Sequence, residues 1–210
     1  MSTIPSRQEA ERLFAWAVQQ NPEPWAQHCK IVATAAEAIA AKSGLDADRA
    51  YISGLFHDIG YHGYENGRGR SSHLFLGYEL LMKNGYEALA GICLSHSFPY
   101  QDIREYFGKD LTYCSEEEMA ALATFLTKTV YDDYDKLIQL CDCLGTAQGI
   151  CTLEKRMVNV VMRHGFNNLT TKKWEATFAL KDYFDKKCGE DIYNLFRDEI
   201  IESIFEKTSY

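Results

Sequence analysis

From Asn21 onward the chain is punctuated as one helix after another, and nowhere do Val, Ile and Thr fall into the alternation of a half-buried strand. That single feature leaves little room for a sheet and predicts an all-α fold. Asn21-Pro22 offers an N-cap and a first-turn proline, and Gly44 offers a stop, for the alanine-rich helix between them. Asp46 can cap a second helix, reaching to near Gly60. Ser71 or Ser72 can cap a third, closed by Asn84-Gly85. Tyr86 to Ser95 reads as a short fourth helix, and Ser115-Glu-Glu-Glu118 is a capping box that opens a fifth. Tyr134 to Leu144 is a sixth, stopped by Gly145. Thr152 to His164, Thr171 to Cys188 and Asp191 to Glu206 follow.

The chain has 210 residues, enough for one sizeable core, and it contains no repeat, low-complexity tract or linker. A single helical domain over residues 1–210 is expected, with 152–207 completing its core. The aromatic stripe Trp174, Phe178 and Phe184 should pack there or form a homodimer contact. No apolar run approaches the ~20 residues of a membrane span. The N-terminus is polar and lacks the apolar stretch of a signal peptide, so a cytoplasmic protein without membrane contact is expected. A net charge of −8 argues against a nucleic-acid polymer as partner, but not against a small anion held at one local positive site. Seven cysteines are read as buried reduced thiols, and the spacing Cys141-Asp-Cys143 is too tight for a structural zinc pair.

Chemistry enters at His57-Asp58, which ends the apolar segment Tyr51 to Gly60 and offers an imidazole and a carboxylate from adjacent positions. His28 lies upstream; His73, His96 and Asp142 lie downstream, each within or at the edge of a helical segment. On the first of these helices His28 shares the core-facing stripe Val32, Ala35 and Ile39. Asp142 is flanked by Leu137, Ile138 and Cys141, and a buried aspartate without a partner is costly. One histidine on an apolar face is usually a hydrogen-bonded core residue. Six such residues on five segments point instead to a metal centre of mixed imidazole and carboxylate donors, suited to iron, manganese or zinc and less well to magnesium. His164, near a helix C-terminus, is left out of this set.

The order His28, His57-Asp58, Asp142 resembles the HD-domain superfamily of metal-dependent phosphohydrolases. Leu55-Phe-His-Asp-Ile-Gly60 is similar to its signature, and Lys136 to Leu144 resembles the helix carrying its last aspartate, so the resemblance spans about residues 25–145. It implies that His28, His57, Asp58 and Asp142 bind a metal ion. Members with two further histidines between the dyad and the last aspartate hold two ions. His73 and His96 occupy those places, which implies a binuclear site with Asp58 shared between the ions and with His57 and Asp58 at the centre of catalysis. Similar enzymes often carry a lysine shortly after the dyad, where this chain has Tyr61 and His62.

Four neutral histidines and two carboxylates around two divalent ions leave the site net positive, which suits an anionic substrate. Such ions lower the pKa of water from ~16 to about 7. The expected activity is therefore hydrolysis of a phosphate ester or anhydride in a small molecule, a nucleotide being the expected substrate. Two irregular stretches follow the proposed ligands. Arg68 and Arg70, in the glycine-rich stretch 61–70, are expected to clamp the phosphate, with His62 beside them. Phe98, Tyr100, Tyr106, Phe107 and Tyr113, in the stretch 97–113, would either stack on a base or simply pack. Two other readings use the same ligand order: a di-iron oxygenase acting on a small substrate, and a non-catalytic sensor or binding module.

Overall fold

A computed structural model describes residues 4–65, 67–106 and 108–205. Among them are ten α-helices and no strand, so the all-α expectation holds. The helices are α1 (Arg7–Gln20), α2 (Trp25–Ser43), α3 (Ala47–Phe56), α4 (His73–Lys83), α5 (Glu87–Ser95), α6 (Glu116–Lys128), α7 (Asp133–Leu144), α8 (Leu153–His164), α9 (Thr170–Cys188) and α10 (Arg197–Phe205). None is long and apolar enough to cross a membrane.

Several boundaries follow the local chemistry read from the sequence. Asp46 accepts from the Arg49 amide to cap α3, and Ser115 and Glu118 form the capping box of α6. Other segments differ from expectation. Helix α1 lies ahead of the first expected helix, although Ser6 and Glu9 make a full capping box at its start. Asn21 ends α1 instead of starting α2, because its amide bonds back to Ala17 O; the chain then turns at Pro24 before helix resumes. The second expected helix stops at Phe56, and the last is divided into a 3-10 turn, Ile192–Phe196, followed by α10.

The core is built around α2 and α3. Alanines 33, 35, 36 and 40 of α2 are fully buried, and such small side chains let α3 come close. Gly54 marks the crossing: a Cβ there would lie 2.7 Å from Ala33 Cα and 2.8 Å from Ala33 N. Val32, Ile39, Ile52 and Leu55 belong to one apolar cluster with Ile138 and Leu144 of α7 and with Phe184, Ile192 and Phe196 near the C-terminus. Each large side chain buried in this way contributes about 1.5–3 kcal/mol. A second cluster joins Leu74, Phe75, Leu94, Phe98, Leu122 and Leu126 beneath the stretch after α5. All seven cysteines are free, and five are buried.

Candidate metal centre

Five helices and one turn deliver the six donors to one place. His28 sits in the first turn of α2, and Asp142 near the end of α7. His57 caps the C-terminus of α3 in helical geometry, whereas Asp58 leaves the helix (φ −108°, ψ 13°) and turns its carboxylate inward. His73 opens α4. Gly60 seats that helix against the turn after the dyad, since a Cβ on Gly60 would stand 2.5 Å from Gly77 N and 2.7 Å from His73 C. His96 caps α5, whose end is fastened to α7: Gln139 Nε2 donates to Ser95 O at 3.0 Å, and Ser95 Oγ to Asp135 at 2.7 Å.

The donors fall into two triads, His28–His57–Asp142 and Asp58–His73–His96. In the first, His28 Nε2 is 2.9 Å from Asp142 Oδ1 and 3.3 Å from His57 Nε2, and His57 Nε2 is 3.8 Å from Asp142 Oδ1. In the second, Asp58 Oδ1 is 3.0 Å from His73 Nε2 and 3.2 Å from His96 Nε2. The other oxygen of Asp58 lies 3.5 Å from His57 Nε2, so this carboxylate faces both triads. Donors about 2.1 Å from one ion stand about 2.9 Å apart at right angles and about 3.4 Å apart at the tetrahedral angle. Four of these spacings, 2.9 and 3.3 Å in the first triad and 3.0 and 3.2 Å in the second, fall at or within that range, and the fifth, His57 Nε2 to Asp142 Oδ1 at 3.8 Å, is wider.

Ring orientation fits as well. His57 Nδ1–H donates to Gly54 O at 2.7 Å, and His96 Nδ1–H to the carbonyls of Cys93 and Ile92 at 3.1 and 3.2 Å. Both rings are thereby held in the tautomer that aims an Nε2 lone pair at the centre, as metal-ligating histidines require. The ring of His73 stacks on Tyr61 (centroids 4.3 Å apart, 6° between planes), and its backbone amide donates to the Tyr64 hydroxyl. Burial pulls the His57 imidazole down to about 4, so it is neutral near pH 7. Burial opposes ionisation of Asp58, yet His57, His73 and His96 hold it well below the usual carboxylate range. Asp142 is likewise held low, against its burial, by His28. Cys29 also lies by the dyad, but burial pushes its thiol well up and keeps it protonated.

All of these donors except the fully buried His57 line the floor of a cavity of about 720 Å³, within the size range of small-molecule sites. Tyr61, Tyr64, Tyr106 and Tyr113 line one side, and Trp25 and Trp174 also border it. The expected phosphate clamp is not on its wall. Arg70 pairs with Glu79 on the exposed side of α4, Arg68 is exposed, and neither borders the cavity. His62 turns its Nδ1 to Ile59 O and its ring towards Trp16, 5.4 Å away, so it too stands apart. The cationic lining comes instead from Lys109, Arg156, Arg163 and Lys173, with His164 beside them. Sequence reasoning missed these residues; a helical stripe at 156, 160 and 163–164 was the available signal. Of the aromatic stretch, Phe98 is core and Tyr100 is exposed, while Phe107 lies outside the described residues. Phe184 is fully buried, and Trp174 reaches the cavity.

The sequence model of the HD domain matches residues 25–147, which contain all six donors. The chain belongs to the HD domain family, whose superfamily consists mostly of metal-dependent hydrolases and whose domains bind divalent metals. No curated protein and no solved structure matches it.

Proposed function

We propose that this chain is a metal-dependent phosphohydrolase that cleaves a phosphate ester or anhydride of a small molecule, with a nucleotide as the expected substrate. The observation that carries this reading is the pair of donor triads joined through the two oxygens of Asp58 at the floor of a cavity with cationic walls. His28, His57 and Asp142 would hold one divalent ion, His73 and His96 a second, and Asp58 would serve both; iron, manganese and zinc suit such donors. Divalent ions supply Lewis acidity there and make water acidic enough to attack near neutral pH.

The rest falls to the protein. Two ionised carboxylates and the neutral His57 imidazole keep the floor ready for cations. The hydrogen bonds from His57 and His96 to backbone carbonyls fix the donor geometry before substrate arrives. Cationic side chains on the wall attract the anionic substrate and orient it, and the tyrosines offer flat faces on which a base can stack.

The test is elemental analysis of the purified protein, then a panel of nucleotides and phosphate esters, with Asp58→Ala as control. Turnover of at least one phosphorylated compound, abolished in the variant while helical circular dichroism is kept, is the expected result. If nothing on the panel is cleaved, and iron-loaded protein consumes dioxygen with a small organic substrate, the chain is an oxygenase and the proposal falls.

A further inference from the structure

One face of α8 has no role in the metal centre. Arg156, Val160, Arg163 and His164 recur at helical spacing and all border the cavity whose floor holds the donors. Arg156 and Arg163 also border an adjoining cavity of about 640 Å³, which shares His28 and Asp58 with the first. Neither arginine forms an ion pair with a described residue; Arg163 Nε merely reaches Asn159 O, one turn back, at 3.4 Å. Like charges crowd here. Burial and the Arg156 charge pull the Arg163 guanidinium below its ordinary value. Burial, then Arg163, Arg156 and Lys109, do the same to His164. Glu199 and Glu202 line the adjoining cavity but form an ion pair with neither arginine, and cations crowded in this way cost free energy that an anion placed among them would recover.

The charge balance says what kind of anion. On the phosphohydrolase reading, on which this inference rests, two divalent ions against Asp58 and Asp142 leave the floor about two charges positive, enough for one phosphoryl group. Arg156, Arg163 and Lys109 lie beyond that balance, and apart from Asp58 and Asp142 only Glu23 adds a carboxylate to the lining of the main cavity. Guanidinium forks match phosphoryl oxygens in pairs. We propose that Arg156 and Arg163 form a second anion site facing the metal floor, and that the substrate carries a further phosphoryl group besides the one that reacts. That description fits a nucleoside polyphosphate or a bisphosphate better than a simple monoester.

Inorganic phosphate and inorganic tripolyphosphate serve as probes, titrated calorimetrically into the metal-loaded protein at one ionic strength, with bound metal measured before and after. Wild type should bind tripolyphosphate at least tenfold more tightly than phosphate. The double variant R156Q/R163Q should lose roughly tenfold to a hundredfold in tripolyphosphate affinity, as expected for hydrogen bonds to charged groups, with its metal content kept. Arg163 is exposed, so R163Q alone should fold and should lower the preference several-fold. Lys186→Gln removes an exposed cation outside the cavity and is the control. The proposal is overturned if wild type shows no preference, if neither arginine variant reduces it, or if Lys186→Gln reduces it as much as R163Q. If the preference is present and depends on the arginines, yet no phosphorylated compound is hydrolysed, the hydrolase reading fails and the anion site stands.

Discussion

Gly60→Ala tests whether packing between a turn and a helix sets the position of a metal donor. The added Cβ would stand 2.5 Å from Gly77 N and 2.7 Å from His73 C, where ordinary contacts are 3.4–4 Å. The carbonyl oxygen of His73 is closer still; all three neighbours are backbone, so no side chain can swing aside, and the first turn of α4 must retreat by at least about 1 Å. His73 rides on that turn, with its Nε2 now 3.0 Å from Asp58 Oδ1. Metal–donor lengths tolerate only about 0.2 Å, so such a retreat is several times too large. The overpacking itself should cost about 1–3 kcal/mol, which a domain of this size survives. Bound metal, measured by elemental analysis, should fall from about two ions per chain to about one, because the triad of His28, His57 and Asp142 is untouched. Turnover should drop by about 100-fold, the penalty expected for a misplacement near 1 Å. A folded Gly60→Ala protein with wild-type metal content and wild-type turnover would show that α4 is not held in this way.

His96→Ala should give the same loss of one ion without the overpacking cost, so its thermal midpoint with metal removed should stay close to wild type; unchanged stoichiometry refutes the second triad. Arg70→Ala should alter kcat and KM by less than about twofold, since Arg70 pairs with Glu79 outside the cavity and exposed pairs contribute about 0–1 kcal/mol; a large rise in KM would return Arg70 to the site. Glu105 is wholly buried, and burial pushes its carboxyl up to about 7 from an unfolded value near 4.5. The folded state therefore keeps a proton that the unfolded chain releases, and stability present below pH 4.5 is lost as pH rises through 7, by about 3 kcal/mol in all. Glu105→Gln should accordingly gain about 2–3 kcal/mol over wild type between pH 5 and pH 8 in paired urea melts, and a difference that does not change with pH would refute this.

Signals that act within one turn of helix were legible in the sequence: the Asp46 cap, the Ser115 box and the stop at Gly145 all appear where local chemistry puts them. The convergence of the six donors was legible too, because histidines and aspartates on apolar stripes need polar partners once buried. What escaped depends on contacts between distant segments. Arg70 looked available until Glu79, one helix away, claimed it. Arg156 and Arg163 carried no assignment from the sequence, and only the placement of α8 beside the donor cluster gives them a shared cavity. Asn21 could start one helix or end another, and a hydrogen bond to Ala17 decided it.

The six donors lie between His28 and Asp142, whereas Arg156, Arg163 and Lys173 follow in α8 and α9. Reaction centre and substrate wall are thus separate stretches of one gene product, free to drift at different rates. The inner face of the last helices is less free, because Phe184, Ile192 and Phe196 are buried in the main apolar cluster. On the cavity face of α8 Met157 shares that obligation, but Arg163 and His164 do not, since both are exposed. On the proposed phosphohydrolase reading, a few changes along that single helix would redirect the chain from one phosphorylated compound to another while the donor cluster stays intact.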